Sequence, residues 1–144
     1  SAKKGYLNAG ILDRPFVERC FADKHTARLY CAIGAAEDSN STKVETEFEV
    51  LARFSSDVGE VKDVNLVFAK TGENYLLVTD KRCSFTFEEE IVKYAGPLSV
   101  YTGVFVKLGY LFPDLVKNAA GYVIALTPGN ACLDKKQIVY KNAA

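Results

Sequence analysis

The chain has 144 residues, 49% of them hydrophobic and 25% charged, with 18 Lys plus Arg against 18 Asp plus Glu. That composition excludes whole-chain disorder, and the zero formal charge excludes a whole-chain electrostatic pull toward nucleic acid or an anionic membrane. No apolar run approaches the ~20 residues that span a bilayer as a helix. One domain over residues 1–144 is expected, burying roughly 68–70% of its unfolded surface.

Asp13 is placed to cap a helix that enters through Pro15 and runs to about Ala22. Residues 27–33 alternate apolar and polar and end at Gly34, which predicts a strand. Residues 37–42 form a polar loop carrying the glycosylation sequon Asn40-Ser41-Thr42. The strongest local signal is residues 43–54. There Val44, Thr46, Phe48, Val50, Ala52 and Phe54 alternate with Lys43, Glu45, Glu47, Glu49, Leu51 and Arg53. Period two over that length predicts a strand with one face in the core and a glutamate row in water.

Residues 61–68 and 75–79 read as two strands, and the turn residues Thr71-Gly72-Glu73-Asn74 join them as a hairpin. Cys83, Phe85 and Phe87 alternate as a further short strand. Thr86-Phe87-Glu88-Glu89 matches a capping box, with Phe87, Ile91 and Ala95 at helical spacing. Gly96-Pro97 stops that helix, and Glu89 with Lys93 is spaced for an i,i+4 pair. Residues 99–112 are β-rich, with Gly103 as a bulge candidate. Pro113 opens a short helix that Gly121 closes, and residues 122–127 and 137–140 read as two last strands. Seven or eight short strands at about ten-residue spacing predict a mainly β fold. The expected form is an antiparallel β-sandwich or small β-barrel with one to three short helices.

The side-chain inventory narrows the chemistry further. There is one histidine, His25, no Met and no Trp. Without Trp the Gly-x-Trp start of lipocalins is missing, and so is the Gln-x-Val-x-Gly segment of cystatins. Cys20, Cys31, Cys83 and Cys132 form no CxxC pair, which counts against a zinc ribbon or a thioredoxin-like motif. An even cysteine count beside a sequon favours disulfides and a secreted protein whose signal has been removed. Proximity pairs Cys20 with Cys31 and leaves Cys83 with Cys132. Loop-closure entropy makes these worth roughly 3 and 4 kcal/mol before strain.

The fixed-spacing motifs of phosphate binding, of the nucleophile elbow, of zinc peptidases and of EF-hands are absent. No metal and no cofactor is expected, and the balance points away from an enzyme. One catalytic alternative remains, a small secreted hydrolase or ribonuclease-like enzyme. It would use His25 as general base, Glu18 or Asp23 as its partner and Arg28 as an anion clamp. Glu88, Glu89 and Glu90 are consecutive on a helix and diverge, so they make no carboxylate pair by themselves. The aromatic residues Tyr94, Tyr101, Phe105, Tyr110, Phe112 and Tyr122 cluster in the second half and suggest a contact surface.

The leading expectation is therefore a secreted, disulfide-supported β-domain, glycosylated at Asn40. It would work by binding a protein partner or a small apolar ligand, as an effector, inhibitor or carrier, with self-association left open. A structural or storage protein is the third reading.

Overall fold

The computed structural model describes residues 3–34, 42–107, 113–117, 119 and 121. Six strands are β1 (Lys4–Leu12), β2 (Arg28–Ile33), β3 (Val44–Val58), β4 (Val61–Thr71), β5 (Asn74–Thr79) and β6 (Tyr101–Val106). Three helices are α1 (Arg14–Ala22), α2 (Glu88–Ala95) and the single turn α3 (Pro113–Val116), with a 3-10 turn at Leu98–Val100 before β6. The strands form one open sheet in the order β2-β3-β4-β5-β1-β6. The hairpin strands β2 to β5 pair antiparallel, whereas β1 is parallel to both of its neighbours, β5 and β6.

The mainly β expectation holds, and its finer form needs correction. The sheet is mixed and does not close into a barrel, and among the described residues helices rather than a second sheet cover its faces. Phe16, Val17 and Cys20 of α1 pack with Cys31, Ile33, Phe48, Val50, Val67, Ala69, Leu76 and Val78 on one face. On the other, Ile91, Tyr94 and Ala95 of α2 pack with Leu7, Ala9, Val58, Val64, Leu66, Leu77, Phe85 and Tyr101. Strands β4 and β5 are thus apolar on both sides, as strands covered on both faces must be.

Two bulges exchange the faces within single strands. In β3, Val50 pairs with Ala69 and Ala52 with Phe68, so Leu51 is the extra residue. A bulge shifts the side-chain parity by one. Phe48 and Val50 accordingly point at α1, while Phe54 and Val58 join the α2 side. Leu51 is left 41% exposed. The period-two reading of residues 43–54 finds the strand but places Phe54 on the wrong face. In β1 the same change occurs at Gly10, between the pairs Ala9–Leu77 and Ile11–Val78. Its φ of +89° is a left-handed value that glycine adopts without strain.

Local chemistry explains the helix ends. Asp13 Oδ1 accepts the Phe16 N–H at 3.1 Å, as the N-cap expectation requires. Its Oδ2 accepts the Gly34 N–H at 2.8 Å, which ties the end of β2 to the start of α1. Helix α2 starts at Glu88 without a side-chain cap from its N-cap residue, Phe87. Glu90 Oε2 reaches back to the Thr86 N–H at 3.1 Å, and Asp114 of α3 accepts the Glu88 N–H at 2.8 Å. The cap therefore comes from two places rather than from Thr86. The helix ends at Gly96 as predicted, but Lys93 turns to Ser56 Oγ at 3.2 Å instead of to Glu89. Cys83, Phe85 and Phe87 lie in the segment that leads into α2 and form no strand. The predicted strands 122–127 and 137–140 lie outside the described residues.

Candidate functional site

The turn that carries His25 joins α1 to β2, and the bulge in β3 determines what holds it. By shifting parity, the bulge sends Arg53 toward the C-terminal end of α1. There Nε donates to the Cys20 carbonyl at 2.7 Å, and one terminal nitrogen donates to the Asp23 and Thr26 carbonyls at 3.0 and 2.6 Å. One guanidinium thus satisfies a carbonyl at the end of the helix and two in the turn that follows, where a cation is also favoured by the helix dipole. Asp23 closes the turn from within, accepting the His25 N–H at 3.0 Å and the Thr26 hydroxyl at 2.6 Å. The Thr26 hydroxyl, then the His25 N–H, hold the Asp23 carboxyl below the usual carboxylate range.

The backbone of His25 is therefore fixed while its side chain stands in solvent. Glu18 lies on the exposed side of α1. Arg28 sits on the sheet face away from α1, where it pairs with Glu47 at 2.9 Å, both side chains more than half exposed. Asp23 spends both oxygens on the turn. The structure does not bring Glu18, His25 and Arg28 together, and among the described residues no carboxylate orients the imidazole. An imidazole without that partner lacks the arrangement by which a histidine base is normally aligned.

The aromatic set divides in the same way. Tyr94 is buried against Phe54 and Phe85, and Tyr101 is buried against Tyr75 with its hydroxyl donating to the Ala95 carbonyl. Both belong to the α2-side core. Phe105 points to the opposite face and is 59% exposed, beside the ring of Tyr6 at a centroid distance of 6.0 Å. Tyr110, Phe112 and Tyr122 lie outside the described residues. Tyr6 is a member that sequence reasoning misses, since the residues of β1 do not alternate between apolar and polar.

Neither expected cysteine pair is present as a disulfide. Cys20 and Cys31 are buried free thiols in the α1-side core, and Cys83 is free and half-buried. Cys132 and the sequon residue Asn40 lie outside the described residues. Burial, and then the neighbouring Cys31, push the Cys20 thiol up to about 11. Burial also raises Cys31 and Cys83. Such thiols stay protonated at neutral pH, so they do not present a ready thiolate nucleophile. The disulfide argument for an oxidising compartment lapses with the pairs.

A metal needs several converging donors, and among the described residues no group of three His, Cys, Asp or Glu side chains converges. Asp13 is buried, but its two oxygens are already taken by backbone N–H groups. Asp57 accepts the Asp63 N–H and the Lys62 ammonium, and Asp114 accepts Lys117 and the Glu88 N–H. The described donor set does not fit a catalytic metal ion. Among the described residues no helix is long and apolar enough to cross a membrane.

The fold is a mixed open sheet with a helix packed on each face, and among its described residues no group of three metal-ligating side chains converges. A family model, the MlrC C-terminus, matches residues 1–142, and the chain belongs to that family. No curated protein matches it. A solved structure from Mesorhizobium sp. BNC1, provisionally described as a metallopeptidase, shares the fold with a TM-score of 0.78 at 14% sequence identity. The alignment covers 99% of this chain and 30% of that one, so the chain spans under a third of the length of the solved protein. Family membership overturns the expectation of a binding effector, inhibitor or carrier, and the free thiols overturn the two expected disulfides. The storage alternative is displaced by the same family membership, and the His25-centred alternative is left without its expected partners, since Arg28 pairs with Glu47 on the other sheet face.

Proposed function

We propose that the chain is the C-terminal module of a metal-dependent, peptidase-like protein of the MlrC type. In this reading its six-stranded sheet is a supporting unit, and the metal ligands come from outside the described residues. The observation that carries the reading is the family match over residues 1–142. A matching fold inside a much longer protein described as a metallopeptidase supports it, as does a described donor set that does not suit a metal. The buried carboxylate and the clamping guanidinium then have structural roles, capping α1 and holding the α1–β2 turn.

The test is calorimetric titration of the 144-residue chain with Zn²⁺ alone, beside an assay for hydrolysis of a mixed peptide library. The expected result is no stoichiometric metal binding at micromolar concentration and no hydrolysis by this chain by itself. A polypeptide joining this module to the remainder of an MlrC-type protein should hydrolyse peptides, lose that activity with a chelator and regain it with Zn²⁺. One tight metal site in the 144-residue chain, or peptide hydrolysis by it that His25→Ala abolishes, would refute the supporting role. A joined polypeptide without chelator-sensitive hydrolysis would refute the peptidase assignment.

A further inference from the structure

We draw no further inference here: the strongest candidate, the uncharged Tyr6–Phe105 ring pair on the β1–β6 half of the sheet face that α1 leaves bare, is an apolar patch for which nothing in the structure shows what covers it.

Discussion

Arg53→Ala should be among the most destabilising changes at any charged position of this protein. The wild-type guanidinium makes three hydrogen bonds to carbonyls of α1 and the turn that follows. A hydrogen bond from a charged donor contributes about 1.5–3 kcal/mol, so a simple sum would reach roughly 4–9 kcal/mol. Two effects reduce it. Arg53 is only half-buried, so water can replace part of what the freed carbonyls lose, and the bonds share one side chain and are not additive. The loss of a cation at the helix C-terminus adds back about 0.3–1 kcal/mol. A net cost of about 2–4 kcal/mol is expected. With a urea m-value of about 2 kcal/mol/M, the middle of the usual range for small proteins, the unfolding midpoint should fall by about 1–2 M. Arg53→Lys should recover less than half of that, because one ammonium cannot span three carbonyls as the planar fork does. Arg28→Ala is the internal control, since its pair with Glu47 is exposed and such pairs are worth about 0–1 kcal/mol. If urea unfolding followed by circular dichroism shows Arg53→Ala costing no more than Arg28→Ala, the clamp does not hold the turn and the reasoning fails.

Three further outcomes are expected. In Gly5→Ala the new Cβ would sit 1.8 Å from the backbone oxygen of Glu73, so β1 must shift away from the β4–β5 turn. Overpacking of that kind costs about 1–3 kcal/mol, and a thermal midpoint within a degree of wild type would contradict the close approach. At low pH, Asp57 should matter through the Asp63 N–H and then Lys62, which hold its carboxyl below the usual range. The unfolded chain therefore takes up that proton first, so this stabilisation is complete above the ordinary carboxylate pKa of about 3.9 and is lost as pH falls through the lower folded value. Urea midpoints measured from pH 6 down to 2 should decline less steeply in Asp57→Asn, and identical slopes would remove Asp57 from the account. Finally, Cys20 and Cys31 should resist a thiol reagent at pH 8 until the protein unfolds, while the half-buried Cys83 reacts sooner. Rapid native labelling of Cys20, or a mass showing it oxidised, would contradict the buried-thiol assignment.

What the sequence disclosed depended on whether one residue's surroundings were local. The cap at Asp13, the turn at Gly72 and the stop at Gly96-Pro97 all rest on contacts within a few residues, and each is found where the pattern put it. The strand β3 was equally plain, but its bulge was not. Val50 and Ala52 continue the apolar row in the sequence although they oppose adjacent residues of β4. The one mark of the shift is chemical: the glutamate row ends at Glu49 and gives way to Leu51 and Arg53, just where that register changes sides. Strand β1 left still less trace. Its residues Leu7, Asn8, Ala9, Gly10 and Ile11 do not alternate, because the strand is packed between two parallel neighbours and switches faces at Gly10. Parallel pairing requires long connections, and no window of ten residues can show which distant strands will lie beside it. That one strand decides the architecture: its parallel pairing makes the sheet mixed. The two covering helices then leave little reason for a second sheet, although the cap of α1 at Asp13 and the stop of α2 at Gly96 are both legible in the sequence.

The candidate site was illegible for a related reason. A lone histidine in a polar turn invites a catalytic reading because its neighbours in sequence, Glu18, Asp23 and Arg28, are the right kinds of residue. Chain proximity is not convergence, and three separate facts set these groups apart. Asp23 is consumed by its own turn. Arg28, one strand residue away from the α1-facing side, is turned by the pleat to the opposite face, where Glu47 meets it. Glu18 stays on the solvent side of a helix whose other side is filled by Phe16, Val17 and Cys20. The cysteines misled by the same route. Cys20 and Cys31 lie in one core, which is why proximity paired them, but they sit there as small apolar groups whose burial keeps them protonated. An even count and a short spacing describe a disulfide and a pair of packed thiols equally well; the separation and orientation of the two side chains distinguish them, and only the folded sheet supplies these.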